Sequence, residues 1–237
     1  RGNPLLEANP GGAPCNVLAM LNKQGYKTAF IGKIGDDIFG RQLWKTIGAL
    51  GINTDGLITD KTVNTTLAFI HTLDGGDREF SFYRNPGADM MLSESDIRES
   101  VIENSGIFHF GSLSMTNGVC ERATKKAVSA AEKAGAIISF DPNLRPQLWP
   151  SEEEMVRTLN SLAEGAETIL PGINEGKTLT GQDTPEGVAT YYHGMGITNV
   201  VVKLGRQGSI WSVRGGGSGY APADKEEKVV DTVGAWY

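Results

Sequence analysis

The sequence predicts an α/β fold in which a mainly parallel, doubly wound sheet carries helices on both faces. Four short runs indicate the strands, since each is continuously apolar, as strands buried on both faces are. Helical patterns separate these runs, and strand–helix repetition favours right-handed crossover connections. The four predicted strands are residues 28–32, 106–110, 136–140 and 199–203.

Three helices are predicted from spacing and from their ends. Val17, Met20 and Leu21 have helical spacing before Gly25, which is a natural C-terminal stop. Five alanines between residues 123 and 134 form the small-residue face of a second helix, which ends at Gly135. Ser151 precedes three glutamates, a pattern typical of a capping box at the positive end of a helix dipole.

One segment, spanning about residues 62–86, interrupts the strand–helix alternation. The runs 67–73 and 78–84 flank a Gly-Gly turn and predict a β-hairpin in which Phe80 and Phe82 form one aromatic face. A hairpin is too small to be stable alone, so we expect a lid or a contact between subunits. Farther on, the glycine-rich residues 215–219 are expected to form a flexible loop between strands at 209–213 and 228–231, or to be an engineered linker.

Bulk composition excludes several classes of protein. With 237 residues, the chain can bury one sizeable core and carry a small appendage. Its net charge of −6 opposes nucleic acid and anionic membranes as partners, and no apolar run approaches the roughly 20 residues of a membrane span. Cys15 and Cys120 lie in no metal-ligand spacing, so we expect reduced thiols and a cytoplasmic protein.

Two glycine-containing segments are candidates for ligand binding. Gly11 and Gly12 precede the first helix and let a backbone approach a ligand closely, while Asn16 can donate to and accept from a sugar hydroxyl. Residues 32–40 follow a strand at the edge where doubly wound sheets bind ligands. Ordinary turns, with an asparagine that merely caps, explain both segments about as well.

Together these segments resemble the PfkB (ribokinase-like) carbohydrate kinase family. The resemblance spans essentially the whole chain, and its fructokinase branch is the most similar. It implies a ribokinase-like fold with a β-lid, in a single kinase domain over residues 1–237 that is incomplete at both ends. The motifs that carry it are residues 11–16, 30–40, 66–69, 80–90, 140–150, 202–209 and 230–235.

The resemblance implies a set of sugar-binding residues. Lys33 would reach sugar hydroxyls, and Arg84 would complete the pocket at the base of the lid. A solvated lid charge remains the alternative for Arg84, and a turn residue before Pro142 is the alternative for Asp141. The implied substrate-binding residues are Gly11, Gly12, Asn16, Lys33, Arg84, Asn85, Asp141 and Asn143.

A second implied set handles phosphate and metal. Arg145 would lie near the transferring phosphoryl group, because its planar guanidinium pairs with phosphate oxygens. Asn174 fits the first position of the family's magnesium-organising Asn-x-x-Glu motif, but Lys177 stands where the acid is expected, so Glu175 is a weak substitute acting through water. The implied nucleotide-binding residues are Asn174, Lys203, Gly205, Gly208, Thr232 and Gly234.

The end of the sequence departs from the family. Thr232, Gly234 and Ala235 match the start of the signature Asp-Thr-x-Gly-Ala-Gly-Asp, whose glycines hold the γ-phosphate and whose last aspartate is the catalytic base. Gly234 and Ala235 are therefore catalytic candidates, but Trp236 and Tyr237 stand where the glycine and that aspartate belong. Either residues are missing from the printed chain, which we expect, or the catalytic aspartate is truly lost.

The resemblance implies ATP-dependent phosphorylation of a ketohexose, most simply fructose, with ATP and Mg²⁺ as cofactors and a monovalent cation as a further candidate. A 2-keto-3-deoxygluconate kinase is the nearest alternative, since residues 169–177 and 231–235 also resemble bacterial kinases of that kind. A non-catalytic sugar-binding or regulatory pseudokinase is an alternative of another class. We expect small-molecule partners and a homodimer formed through the lid.

Overall fold

The computed structural model describes residues 6–72 and 78–223. The chain divides into two compact units, with the boundary between Leu92 and Ser93. No helix within the described residues is both long and apolar enough to cross a membrane.

The first unit begins with two helices that alternate along the chain with two strands. α1 (Ala13–Lys23), β1 (Ala29–Gly35), α2 (Ile38–Ala49) and β2 (Asn53–Asp60) follow in order, and β1 pairs with β2 in parallel. Four buried residues, Ile34, Ile47, Ile52 and Leu57, form the core between strands and helix. β1 extends three residues beyond its predicted end, so Lys33 lies within the strand.

The predicted hairpin is confirmed as the antiparallel pair β3 (Leu67–Thr72) and β4 (Arg78–Tyr83). Phe80 and Phe82 stack with ring centroids 6.1 Å apart. The other face is aromatic as well, because Phe69 and Tyr83 meet edge-on at 5.1 Å. The predicted aromatic face of Phe80 and Phe82 is therefore confirmed, and Phe69 with Tyr83 forms a second aromatic face that was not predicted.

The second unit contains a six-stranded sheet of order β10-β9-β8-β7-β6-β5. β5 to β8 pair in parallel, and β8, β9 and β10 pair antiparallel. The elements of this unit are α3 (Glu99–Ile102), β5 (Ile107–Gly111), α4 (Gly118–Lys133), β6 (Ile137–Asp141), α5 (Glu152–Ala163), β7 (Thr168–Ile169), α6 (Ile173–Thr180), α7 (Pro185–Gly194), β8 (Asn199–Lys203), β9 (Ser209–Val213) and β10 (Ser218–Ala221).

In the second unit, the predicted cap of α5 and most of the predicted alanine face of α4 agree with the structure. Ser151 Oγ accepts a hydrogen bond from Glu154 N and caps α5, as its sequence predicts. On α4, Ala123, Ala127 and Ala131 are buried. Ala134, the last alanine of the predicted small-residue face, is exposed, because the helix has ended at Lys133.

The glycine-rich segment is more ordered than its composition suggests. Gly215, with φ of 70°, lies in a tight turn that leads directly into β10, so residues 218–219 belong to a strand. Trp211 on β9 lies opposite Gly219, where a Cβ would stand 2.7 Å from the indole ring. Cross-strand packing of the indole over a glycine explains why the expected flexible loop is a hairpin. The strand predicted at 228–231 lies outside the described residues.

Candidate functional site

The first candidate segment of the first unit is the start of α1. Gly12 is the helix N-cap with φ of 118°, a conformation that favours glycine, and its carbonyl accepts from Asn16 N at 3.0 Å. A Cβ at Gly11 or Gly12 would meet no atom within 4 Å. The segment therefore leaves open backbone beside the half-buried Asn16, and its role in sugar binding stays a prediction.

Lys33 is held at the carboxyl ends of β1 and β2. Its Nζ donates to the Met91 carbonyl at 3.0 Å and lies 3.4 Å from Asp60 Oδ2, with both side chains 12% exposed. Hydrogen bonds from Thr62, and then from Val63 and Lys33, lower the pKa of Asp60 to about 2. The lysine charge therefore lies against a carboxylate that stays ionised.

Arg84 is buried, with 8% of its surface exposed, so the alternative of a solvated lid charge was wrong. Its Nε donates to Asp89 Oδ2 at 2.7 Å. The other oxygen of Asp89 accepts from Thr66 Oγ1. Asp89, which the sequence interpretation did not single out, thus ties the base of the lid to the arginine, whereas Asn85 is exposed.

Asp37 and Thr65 form a second unpredicted junction. Asp37 accepts from Gly40 N at 2.8 Å and from Thr65 N at 2.7 Å, and Thr65 Oγ1 accepts from Gly35 N at 3.0 Å. Burial opposes the ionised form, but these hydrogen bonds outweigh it and lower the pKa of Asp37. An aspartate just before a helical pattern is the N-cap signal that could have identified this residue.

In the second unit, Asp141 and Lys203 form a buried ion pair. Asp141 ends β6 and Lys203 ends β8, the strands on either side of β7. Lys203 Nζ lies 2.8 Å from Asp141 Oδ2, and the side chains are 17% and 3% exposed. Asp141 Oδ1 accepts from Asn143 N at 3.2 Å. Both oxygens of Asp141 therefore hold protein groups.

Asn143 and His109 complete the polar surroundings of Asp141. Asn143 has φ of 37°, in the left-handed region, and its carbonyl accepts from Ser112 Oγ at 3.2 Å. His109 Nδ1 lies 3.0 Å from Ser139 Oγ on the neighbouring strand. Burial lowers the pKa of His109, although the Asp141 charge acts in the opposite direction.

The residues predicted to bind magnesium, Asn174 and Glu175, lie in the first turn of α6. Glu175 Oε2 accepts from Gly172 N at 2.6 Å and Oε1 accepts from Leu144 N at 2.9 Å, so both carboxylate oxygens hold main-chain amides. Asn174 is exposed on α6, and exposed Lys177 pairs with Asp183 at 2.5 Å. Within residues 6–72 and 78–223, no group of three metal-ligating side chains is present.

The candidate nucleotide loop joins β8 to β9. Leu204 N donates to Gly208 O at 2.8 Å, and Gly205 and Gly208 have φ of 59° and 95°. A Cβ at Gly208 would overlap Ala221 O, whereas Gly205 faces open space. The predicted positions Thr232, Gly234 and Ala235 lie outside the described residues.

The second unit thus places polar loops and a glycine turn at the carboxyl ends of parallel strands. Asp141 and Lys203 end two of these strands, and Arg145 Nη1 donates to Leu144 O at 2.7 Å in the loop that follows β6. In doubly wound sheets this edge binds the ligand, and positively charged side chains there suit phosphate. This arrangement is typical of α/β proteins that bind a phosphate-containing ligand at the edge of the sheet.

The chain belongs to the pfkB family of carbohydrate kinases, whose sequence model matches residues 4–235. It is 38% identical over 231 residues to fructokinase-2 of Solanum habrochaites, covering 95% of this chain and 69% of that protein. These matches confirm the predicted family and the assignment as a carbohydrate kinase.

Solved structures show the same fold. A fructokinase double mutant from Vibrio cholerae O395, with fructose, ADP and potassium bound, superposes with a TM-score of 0.86 at 28% identity, over 95% of this chain and 71% of that one. A fructokinase from Xylella fastidiosa with bound ATP gives 0.83 at 30% identity, over 92% and 67%. The ribokinase-like α/β fold is thereby confirmed.

Proposed function

We propose that this protein is a fructokinase that transfers the γ-phosphoryl group of ATP to a hydroxyl of fructose. Family membership and the similarity to fructokinases support the reaction. The observation that favours a neutral sugar is that each candidate cation near the lid lies against a carboxylate: Lys33 against Asp60 and Arg84 against Asp89. A carboxylate on the substrate would be repelled by these two aspartates as well as attracted by the two cations, so the pairs favour a substrate without a charge.

Within the first unit, we assign sugar binding to the start of α1 and to the base of the lid. Gly11 and Gly12 offer open backbone, and Asn16 offers an amide that can both donate and accept. Lys33 and Arg84 are held by their carboxylates in fixed positions, which is the preorganisation that hydroxyl recognition needs. Exposed Asn85 remains a candidate contact.

Within the second unit, we assign phosphate binding to Arg145, Lys203, Gly205 and Gly208. Asp141 fits a supporting role better than the predicted sugar contact, because both of its oxygens hold Lys203 and Asn143. Asn143 stays a candidate for substrate binding. The family's catalytic aspartate stands two positions after Ala235, where this sequence has Tyr237, so we assign no catalytic base.

The residues predicted to bind magnesium do not fit a direct metal site. Asn174 is exposed on α6, and both oxygens of Glu175 accept from the main chain. Mg²⁺ retains several waters and binds readily through nucleotide phosphates, so we propose that it enters as the ATP complex. A monovalent cation is proposed by similarity to the potassium-bound fructokinase from Vibrio cholerae.

We also propose a homodimer formed through the lid and a location in the cytoplasm. One face of the lid carries the exposed aromatic side chains of Phe69 and Tyr83. A two-stranded hairpin with an exposed apolar face gains stability from a partner surface. Cys15 and Cys120, both within the described residues, form no disulfide bond, which is compatible with a reducing compartment.

The direct experiment incubates the complete protein with ATP, Mg²⁺ and fructose, and identifies the product by ³¹P NMR. We expect stoichiometric ADP and a single fructose monophosphate. Fructose binding without phosphoryl transfer would favour the pseudokinase alternative and overturn the proposal.

A further inference from the structure

We propose that Glu175 is a positioning residue that clamps two main-chain segments and, through them, sets the position of Arg145; the kinetic part rests on the proposed function. The clamp is defined by the two carboxylate hydrogen bonds of Glu175. Oε2 accepts from Gly172 N at 2.6 Å and Oε1 accepts from Leu144 N at 2.9 Å. The carboxylate therefore joins the start of α6 to the loop after β6.

A helix cap alone does not explain this arrangement. The bond to Gly172 is local, since Glu175 lies in the first turn of α6 and satisfies a free amide there. The bond to Leu144 spans 31 residues and joins a different loop. A carboxylate that only capped the helix would leave its second oxygen to solvent.

The surroundings favour a fixed carboxylate. Glu175 is largely enclosed, and burial raises its pKa, while bonds from Gly172 N and Leu144 N favour the ionised form. A Cβ at Gly172 would stand only 3.2 Å from Glu175 Oε2, so little space remains on that side. An enclosed carboxylate with both oxygens engaged is poorly placed to ligate a metal.

The loop that Glu175 holds is fixed at successive positions. Asp141 Oδ1 accepts from Asn143 N, and Ser112 Oγ donates to Asn143 O. Glu175 then holds Leu144 N, while Arg145 Nη1 donates to Leu144 O at 2.7 Å. The main-chain N–H and C=O groups of Leu144 thus connect the Glu175 carboxylate to the Arg145 guanidinium. A shift of Leu144 would move the group that we assign to the transferring phosphoryl.

The test uses Glu175→Gln in the complete protein, with Glu186→Gln as the matched control. Glu186 also lies in the first turn of a helix, α7, but it is exposed. The glutamine cannot accept from both amides with both of its terminal atoms. We expect hydrogen exchange at Leu144 and Gly172 to accelerate about tenfold or more, because bonds to a charged acceptor are lost. The control should exchange as wild type does.

The kinetic prediction separates positioning from metal binding. We expect kcat to fall about tenfold or more, because misplacing a group that acts on the phosphoryl is costly. The Mg²⁺ concentration for half-maximal rate, at saturating ATP, should not change. A Mg²⁺ requirement raised tenfold, with both amides protected as in wild type, would identify a metal ligand and overturn the proposal.

A double-variant cycle tests the action through Arg145. If Glu175 acts by positioning the Arg145 side chain, Glu175→Gln should lower kcat by a much smaller factor in an Arg145→Ala background than in wild type. Additive effects would overturn this step. Unchanged kinetics with only a lower melting temperature would reduce Glu175 to a helix cap. If the wild type phosphorylates no sugar, the proposed function fails, while hydrogen exchange still decides whether the clamp exists.

Discussion

Within the described residues, the two buried charged side chains, Arg84 and Asp141, are each paired with an opposite charge. Asp141 is 2% exposed and carries Lys203 on one oxygen, while buried Arg84 carries Asp89 on its Nε. A charge taken out of water is tolerated when an opposite charge and hydrogen bonds replace the solvent. The sequence identified Arg84, Asp141 and Lys203 but not their pairing, because the partners come from different loops and strands.

Asp89 should affect sugar binding through Arg84. We expect Asp89→Asn to raise the KM for fructose about tenfold with a smaller change in kcat, because the amide replaces a charge-assisted bond to Arg84 Nε with a weaker or opposed one. Steady-state kinetics at varied fructose measure this. Glu121→Gln, which loses the surface ion pair with Lys125, is the control and should behave as wild type. An unchanged KM in Asp89→Asn would contradict the role.

Lys203→Met should destabilise the second unit strongly. It leaves the Asp141 carboxylate without its charged partner in a site where the Asp141 side chain is only 3% exposed. Loss of one partner of a buried pair costs about 3–5 kcal/mol. Urea denaturation followed by tryptophan fluorescence measures the loss. The additional change Asp141→Asn should restore part of the stability; a double variant as unstable as Lys203→Met would contradict the pairing argument.

At the scale of elements, the predictable part of the fold is the part encoded locally. The four apolar runs became β1, β5, β6 and β8 because continuous apolar sequence leaves few alternatives. β2 was not predicted since its residues Asn53–Asp60 mix threonine, aspartate and glycine with only two apolar side chains, and the two-residue β7 is too short to show a pattern. Such strands form because neighbouring strands pair with them.

The same distinction applies to the candidate site. Glycines and asparagine at the start of α1 are visible as a motif, and the loop Gly205–Gln207 is visible as a turn. The junction of Asp37 with Thr65 and the clamp of Glu175 on Leu144 depend on contacts 28 and 31 residues apart. Sequence spacing within one motif does not encode these contacts.

The turn between β8 and β9 gives a matched pair of glycine variants. At Gly208 an added Cβ would overlap Ala221 O, and φ is 95°. We expect Gly208→Ala to cost more than about 2 kcal/mol, from both overlap and backbone strain. Gly205→Ala adds only left-handed strain of about 1 kcal/mol, because Gly205 faces open space. Thermal unfolding compares the two, and equal destabilisation would show that the close approach is absent.

At the scale of the whole molecule, the lid has two apolar faces, and we assign one of them to the contact with a second subunit. The more exposed face carries Phe69 and Tyr83, which are 37% and 69% exposed, and we assign it to the second subunit. Ile70 pairs with Phe80 on the opposite face. A surface of this kind on a small hairpin is typical of an interface.

Phe69→Asp should therefore shift the complete protein from dimer to monomer, because it places a charge in the apolar contact. Ile70→Asp, on the other face, should leave the dimer intact. Sedimentation velocity across a hundredfold range of protein concentration distinguishes the species. A wild-type protein that sediments as a monomer throughout, or a Phe69→Asp protein that stays dimeric, would contradict this assignment.

We propose that this pfkB-family kinase, whose cations Lys33 and Arg84 are each paired with a carboxylate, acts on a neutral ketohexose. The most direct test is kcat/KM of the complete protein for fructose and for 2-keto-3-deoxygluconate, measured side by side with ATP and Mg²⁺. Because Asp60 and Asp89 already neutralise the two cations, our account predicts a preference for fructose of about a hundredfold or more. A preference for the keto acid would contradict it.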